Sequence, residues 1–203
     1  MRVFLSILLL ALASAAQAGP GRDAFDKFLH ELVTLEARFE QSVLDTENAR
    51  QGLFHGIFQL KRPNRFRWDY VAPEKRQVIA DGRDLWLVED DLQQITQLYQ
   101  DTVLANTPAT LLLSDAPIDE AFEVIELGER LGMQWLELLP RDEDADTLRV
   151  LLAFKGDKLL RLELTDKFGQ ISRFSFFEIK RNPPLADSVF EFVPPEDFDT
   201  YRH

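Results

Sequence analysis

Histidine is the side chain best suited to acid–base or metal chemistry near neutral pH, and the chain contains three of them. His30 falls in a predicted helix, His55 in a predicted strand and His203 at the C-terminus, so no two are spaced as metal ligands. The sequence also lacks a nucleophile elbow, a zinc-protease motif and a Gly-rich phosphate loop. These observations predict no catalytic centre, no metal site and no cofactor. Carboxylates assembled from distant strands would escape such a search, so a hydrolase remains a minor alternative.

Residues 142–146 form an acidic run, Asp-Glu-Asp-Ala-Asp, that resembles the start of a calcium-binding loop. Thr147 stands where such a loop needs glycine, and Ala153 stands at the position of the bidentate carboxylate. The run is therefore interpreted as a solvated hairpin turn.

The N-terminus has the pattern of an export signal. Arg2 supplies a positive start, an apolar stretch follows, and Ala16-Gln17-Ala18 is a small-residue cleavage site. We expect residues 1–18 to be removed after Ala18, which leaves residues 19–203 as a single periplasmic domain. The apolar stretch is too short to span a bilayer, so the mature protein is expected to be soluble.

Charge and cysteine content narrow the classes of function. The chain has no cysteine, which excludes disulfides, thiolate catalysis and a lipidated N-terminal cysteine. Its formal net charge is −12, and removal of Arg2 makes it one unit more negative. A field of this sign disfavours nucleic acid and anionic membrane surfaces as partners.

The periodicity of apolar residues predicts a short helix followed by many strands. Asp23 is expected to cap a helix over residues 24–37, whose apolar positions fall on one stripe. Period-two segments follow at 39–44, 53–61, 65–70, 77–80, 85–88, 93–99, 122–127, 133–139, 148–154, 159–164 and 171–180. Thr107 and Pro108 are expected to open a second short helix over 109–113. The fold class is therefore mainly β with short helices, an antiparallel sheet or barrel that helices cover on one side.

Aromatic side chains dominate the apolar content, with sixteen Phe and three Trp but only two Met. Phe66, Trp68 and Tyr70 share one face of a predicted strand, and Phe58 and Leu60 share a face of the strand before it. These residues either fill a barrel core or line a cavity, and periodicity does not distinguish the two.

Arg62 stands between an apolar strand face and Pro63. It is either an ordinary surface arginine or a residue whose five donors bind the unpaired carbonyls at a helix end, which would hold a helical lid in place.

Several motifs along the chain resemble the LolA family of periplasmic lipoprotein carriers. They are Phe39-x-Gln41, Gly56-x-Phe58-x-Leu60-Lys61-Arg62-Pro63-Asn64-x-Phe66-x-Trp68, Pro73, Asp81-Gly82-x-x-Leu85-Trp86, Asp91-Leu92-x-Gln94-Ile95-Thr96, Thr107-Pro108-x-x-Leu111-Leu112 and Phe190-x-Phe192-x-Pro194-Pro195. The resemblance covers essentially all of residues 19–203 and implies an incomplete antiparallel barrel of about eleven strands with helices over its opening.

The resemblance also implies a function without catalysis. A carrier of this family accepts acylated lipoproteins from the inner-membrane complex LolCDE, shields their acyl chains, and passes them to the outer-membrane receptor LolB. We therefore expect a monomeric periplasmic chaperone. A lipid-sensing or regulatory binding protein of the same fold is the alternative.

Site residues follow from the same resemblance. Arg62 matches the family arginine that holds the lid closed, and its partners would be near Leu29, Leu112 and Leu113. Phe66 matches a position in cargo handover. The remaining residues expected to line the acyl-chain cavity or to take part in handover are Trp68, Phe58, Leu60, Phe39 and Leu32.

Overall fold

The computed structural model describes residues 19–104, 110–113 and 116–202, and in these residues twelve strands form one continuous sheet. The strand order is β12-β6-β5-β4-β3-β2-β1-β11-β10-β9-β8-β7. Every neighbouring pair is antiparallel except β12 and β6, which are parallel. No ladder of the described residues joins the edge strands β7 and β12, so the sheet curls without closing. The predicted class, mainly β with an incomplete antiparallel barrel and short helices, is confirmed.

The element bounds are as follows. The strands are β1 (Thr34–Leu44), β2 (Arg50–Lys61), β3 (Arg65–Ala72), β4 (Arg76–Ala80), β5 (Asp84–Glu89), β6 (Gln94–Tyr99), β7 (Phe122–Arg130), β8 (Met133–Pro140), β9 (Thr147–Lys155), β10 (Lys158–Asp166), β11 (Ile171–Arg181) and β12 (Asp199–Arg202). The helices are α1 (Pro20–Leu29), α2 (Gln100–Leu104), α3 (Thr110–Leu113) and α4 (Ile118–Ala121).

The first helix is shorter than the sequence pattern predicts. Helix α1 begins at Pro20 with Gly19 as N-cap, so Asp23 lies in its first turn and does not cap it. The helix ends at Leu29, because Glu31 adopts a left-handed conformation with φ 54°. Leu35, which the helical stripe included, faces the interior from β1. The interior face of β1 continues at Ala37 and Phe39. The apolar pattern over residues 30–37 therefore changes from helical to period two earlier in the chain than predicted.

A β-bulge in β11 changes which residues face the interior. Phe174 and Phe176 are buried inside, whereas Phe177 is exposed. The register shifts between Glu36 and Arg38 of β1, opposite Glu178, which has φ 51°. Because the side chains of a strand alternate in direction, one extra residue moves the interior face from even to odd positions. After the bulge, Arg181 therefore shares the interior side with Leu35, its pairing partner.

The chain after β11 covers part of the outer surface of the sheet. Ile79, Trp86, Val88 and Ile95 form a second buried cluster there, against Phe192 and Phe198. The ring centroids of Trp86 and Phe192 are 5.4 Å apart. This cluster explains why β4–β6 are apolar on both faces, and it places β12 at the edge of β6.

Some predictions fall outside the described residues. They are the signal peptide over 1–18, the helix start at Thr107 and Pro108, and His203 at the C-terminus. Among the residues that the structure does describe, no helix combines the length and apolarity needed to cross a membrane.

Candidate functional site

The curled sheet and its helices enclose an apolar cavity of about 280 Å³. Helix α1 supplies Phe25 and Phe28 to its wall, and α3 supplies leucines that face them. The wall formed by the sheet comes from several strands and consists of Phe58, Leu60, Phe66, Trp68, Tyr70, Val78, Leu152, Phe154, Leu159, Leu162, Leu164 and Phe174. An enclosed space with such a lining suits a hydrocarbon ligand and offers few groups for chemistry.

Trp68 is the centre of the aromatic wall. Its ring centroid lies 4.6 Å from Phe58, 5.0 Å from Phe174 and 5.2 Å from Phe39. Phe39 in turn lies 5.1 Å from Tyr70 in an edge-to-face arrangement. Such contacts hold the wall in fixed rotamers, so these rings both fill the core and line the cavity.

The structure brings most of the predicted cavity residues together. Those that line the cavity are Phe58, Leu60, Phe66 and Trp68. Leu112 and Leu113, which were predicted as lid partners of Arg62, also line it. Phe39 is fully buried behind the cavity wall, and Leu32 is buried in the same core cluster, against which Leu29 packs. Their roles in cargo handover and in holding the lid stay predictions.

Arg62 lies at the turn between β2 and β3, partly buried. Its backbone N–H donates to the Val33 carbonyl oxygen at 2.8 Å, next to the end of α1. Arg62 makes a further interaction, so it is not a free cation. The Leu29 carbonyl oxygen, its predicted partner on α1, accepts the Leu32 N–H at 3.1 Å.

The carbonyls at the C-terminal end of α1 are bound by a different arginine. Arg181 Nη2 donates to the carbonyl oxygens of Phe28 at 3.1 Å and His30 at 2.8 Å, with Lys27 at a longer 3.4 Å. The guanidinium also pairs with Asp157 at 2.7 Å. A cation at this end of a helix is favoured by the helix dipole as well as by the unpaired carbonyls.

The N-terminal end of α1 has the complementary contact. The Glu126 carboxylate on β7 accepts the backbone N–H groups of Gly21 at 3.1 Å and Arg22 at 2.8 Å. Arg22 also pairs with Asp119 of α4 at 2.8 Å. Helix α1 is thus held over the cavity by an anion at its start, a cation at its end and an apolar face between them.

The ion pair at Arg181 changes the titration of its partner. The hydrogen bond from Arg181 lowers the pKa of Asp157 below its ordinary value of 3.8. The carboxylate is therefore ionised throughout the neutral range, and it orients the guanidinium towards α1.

Polar groups lie next to the end of the cavity that is remote from the β2–β3 turn. Arg76 of β4 stacks on the rings of Tyr70 and Phe54, with its Cζ atom 4.0 Å and 4.9 Å from their centroids. Burial raises the pKa of Tyr70, while the nearby Arg76 acts in the opposite direction. Gln41 of β1 is 6% exposed, and its Nε2 lies 3.4 Å from Ser172 Oγ.

The residues first considered for chemistry do not meet in a site. His30 is exposed and His55 is partly exposed, and each lies near one glutamate. Residues 142–146 form the turn between β8 and β9, where Asp146 pairs with Lys167. Within the described ranges no group of three or more His, Cys, Asp or Glu could hold a metal ion.

Comparison with known proteins places this cavity in a family. The family profile described as "Outer membrane lipoprotein carrier protein LolA" matches residues 30–193. The chain belongs to the LolA family. A protein of Methylococcus capsulatus named outer-membrane lipoprotein carrier protein is 33% identical over 200 residues, 98% of this chain and 96% of that one. A protein of the same name from Leptothrix cholodnii is 37% identical over 201 residues, 98% and 94% of the two chains.

Two solved structures share the fold at low sequence identity. An uncharacterized conserved protein from Thermus thermophilus has a TM-score of 0.57 and 16% identity, over 90% of this chain and 97% of that one. A putative outer membrane lipoprotein-sorting protein domain from Vibrio parahaemolyticus has a TM-score of 0.50 and 10% identity, over 84% and 94%.

The sequence reasoning missed Arg181, Glu126 and Arg76. Strict alternation along β11 from Phe174 and Phe176 would put Arg181 on the outer face, and the bulge at Glu178 is not apparent from the apolar pattern. Glu126 and Arg76 are single charged residues in strands, and no local pattern distinguishes them.

Proposed function

We propose that this protein is a periplasmic carrier that accepts acylated outer-membrane lipoproteins from the inner-membrane complex LolCDE and transfers them to the receptor LolB. The observation that carries the proposal is the apolar cavity beneath α1. Membership of the LolA family and relatives named as lipoprotein carriers support the same cargo.

The physics of the cargo explains the need for a cavity. At about 0.8 kcal/mol per methylene, exposing one acyl chain of about fifteen methylenes to water costs on the order of 10 kcal/mol. A lipoprotein with several such chains therefore does not cross an aqueous compartment alone. The phenylalanine and leucine lining of this cavity replaces the bilayer during transit.

Loading requires the cavity to expand by displacement of α1. Phe25 and Phe28 occupy its mouth in the closed state. Acyl chains would replace these two rings against Phe154, whose centroid lies 6.1 Å from Phe25 and 5.8 Å from Phe28. When cargo leaves at the receptor, the return of α1 would bury the same surfaces again. Release then proceeds without a nucleotide, because closure recovers part of the lost contact energy.

Arg62 is proposed as the residue that couples closure to release. It lies beside the end of α1, and its backbone is already bonded to Val33. Weakening its interaction would favour the open, loaded state and trap cargo.

A release assay tests the carrier function. Spheroplasts that synthesise a labelled outer-membrane lipoprotein are incubated with the protein purified after export. We expect the lipoprotein in the supernatant as a one-to-one complex. Absence of release, with an active positive control, refutes the carrier function and favours the alternative of a lipid-sensing binding protein.

The role of Arg62 needs a second step. Arg62→Leu is expected to accept lipoprotein but to transfer it poorly to LolB-containing membranes. Arg65→Leu is the matched control, since Arg65 lies on the same turn but pairs with the exposed Asp187. Efficient transfer by Arg62→Leu, or an equal defect in Arg65→Leu, contradicts the coupling role.

A further inference from the structure

Among the described residues, five buried side-chain polar atoms have no hydrogen-bond partner. Two of them belong to Arg149 and Arg181, whose guanidinium groups form ion pairs. The other three lie on the inner side of the sheet and belong to residues without an ion pair: Gln41 Oε1, Trp68 Nε1 and Arg76 Nε. Unpaired polar atoms in an apolar wall cost stability, so their presence calls for a reason. For Gln41 the reason is not the orientation of its amide. Only one end of the amide faces Ser172 Oγ, so either orientation leaves the other end unpaired.

These groups are continuous with the apolar cavity. Trp68 lines it directly. Arg76 is the pairing partner of Tyr70, and Gln41 is the pairing partner of Phe174, and both of these partners also line the cavity. Arg76 and Gln41 both lie at the end remote from the β2–β3 turn. Arg76 and Gln41 do not line the cavity themselves but lie directly beyond its lining, next to Tyr70 and Phe174, so a polar region adjoins one end of an apolar wall.

Arg76 is also unusual in its electrostatics. The protein has 35 acidic residues against 23 basic ones, yet Arg76 has no carboxylate within 4.0 Å in the part of the chain that the structure describes. Glu89 is its cross-strand partner on β5 but is exposed and forms no ion pair with it. Arg76 instead stacks on Tyr70 and Phe54, which keeps its Nε donor in the wall.

We infer that Gln41, Trp68 and Arg76 form a polar subsite for the linkage region of an acylated cargo, where acyl chains join the polypeptide through ester and amide groups. Arg76 Nε and Trp68 Nε1 donate to ester or amide carbonyl oxygens. The Gln41 amide pairs with the amide N–H of the acylated residue. This inference rests on the proposed carrier function and adds to it the place where the cargo polypeptide leaves the cavity, at the end formed by Arg76 and Gln41.

The same chemistry has a second source, because the carboxylate of a free fatty acid is also an oxygen acceptor at the head of an acyl chain. The spread of the polar groups over β1, β3 and β4 favours the cargo, which carries several carbonyls. A single carboxylate needs only the arginine.

The test compares three probes on the protein purified after export. They are a tripalmitoylated cysteinyl lipopeptide, its ether-linked analogue that lacks the ester carbonyls, and palmitate. Affinities are measured by displacement of an apolar fluorescent dye. Arg76→Gln and Gln41→Met are the variants. Arg38→Gln is the control, since Arg38 lies on the outer face of β1 and pairs with the exposed Glu178.

We expect Arg76→Gln to weaken binding of the ester-linked lipopeptide about 10-fold and to change binding of the ether-linked analogue much less. Gln41→Met should weaken binding of both lipopeptides, which share the amide, without lowering Tm, because it removes an unpaired amide oxygen and only one long hydrogen bond, of 3.4 Å to Ser172 Oγ. The Arg38→Gln control should bind like the wild type.

Other outcomes overturn the inference. The first is that the variants bind the lipopeptides with wild-type affinity. The second is that Arg76→Gln loses equal affinity for the ester-linked and ether-linked probes, and the third is that Gln41→Met lowers Tm. The fourth is that Arg76→Gln weakens binding of palmitate alone, which would indicate a fatty-acid site. If the wild type binds neither lipopeptide, the proposed carrier function fails as well. If the wild type binds both and the variants behave like it, the carrier function stands and only the subsite fails.

Discussion

Removal of the Arg181 contact is expected to loosen α1 selectively. Arg181→Gln removes two good hydrogen bonds from a cation to the helix-end carbonyls of Phe28 and His30, together with a longer one. The Arg181 side chain is 23% exposed, so water replaces part of what is lost. Because of this exposure, the hydrogen bonds contribute less than bonds to a fully buried charged group. We expect their removal to lower the stability of the closed position of α1 by about 2 kcal/mol in total. The Asp157 carboxylate that pairs with Arg181 is half-exposed, so loss of this ion pair adds little to the expected loss of stability.

A loss of about 2 kcal/mol corresponds to a roughly 30-fold increase in the open fraction of α1. Amide hydrogen exchange measures this directly, because α1 can open locally while the sheet stays folded. We expect the amides of residues 24–30 to exchange roughly 30-fold faster in Arg181→Gln. The amides of β2 and β3 should exchange at the wild-type rate.

The neighbouring residue provides the control. Lys180 lies on the same strand and pairs with Glu36 on the outer side, away from α1. Lys180→Gln should leave exchange in α1 unchanged. Equal exchange rates for α1 in Arg181→Gln and the wild type would refute the reasoning, and so would acceleration by Lys180→Gln.

Three further predictions concern stability. The lowered pKa of Asp157 contributes stability that is present above its ordinary value of 3.8 and is lost as pH falls below it. Thermal unfolding should therefore show a Tm difference between the wild type and Asp157→Asn at pH 6 that disappears near pH 2, and a constant difference would contradict this. Gly56→Ala places a Cβ atom 2.0 Å from the Asp69 carbonyl oxygen and 2.6 Å from the Phe39 ring, so urea unfolding should show a loss of about 3 kcal/mol. A loss no larger than that of an exposed turn substitution such as Gly132→Ala would count against it. Phe28→Ala should lower the free energy of unfolding by about 3–5 kcal/mol, because Phe28 is fully buried. It should also increase binding of an apolar dye, because it removes a ring that lines the cavity. Unchanged dye binding would show that the site collapses and would contradict this prediction.

The strand pattern could be predicted from the sequence because it depends on local alternation. Phe58 and Leu60, or Phe66 and Trp68, share a face of their strand whatever lies across from them. The family motifs then predicted cavity residues, of which Phe58, Leu60, Phe66 and Trp68 line one space. Phe39 and Leu32 are buried but do not line it.

The helix end and the bulge could not be predicted in the same way. Leu32 and Leu35 fit a helical stripe as well as they fit the start of β1, and only the left-handed turn at Glu31 separates the two. The bulge opposite Ala37 depends on how β11 pairs with β1 across more than 130 residues. The contacts of Arg181 and the environment of Arg76 depend on how distant strands pair, so local sequence patterns do not predict them.

The placement of charge around α1 determines what its opening costs. Glu126 and Arg181 bind the two ends of the helix, and Arg22 of its first turn pairs with Asp119. The buried face of the helix consists of Gly21, Ala24, Phe25 and Phe28. The end contacts are at least partly exposed, so water can take the place of each partner when the helix moves.

The apolar face behaves differently, because water cannot replace what Phe25 and Phe28 lose. Acyl chains can, since they offer the same kind of surface to Phe154. Displacement of α1 therefore costs much free energy when the cavity is empty. It costs much less when acyl chains enter the cavity as Phe25 and Phe28 leave it. Buried ion pairs beneath α1 would add a cost that no acyl chain could offset. A helix that is held by charged partners at its ends and has rings on its buried face is thus displaced selectively by a hydrocarbon ligand.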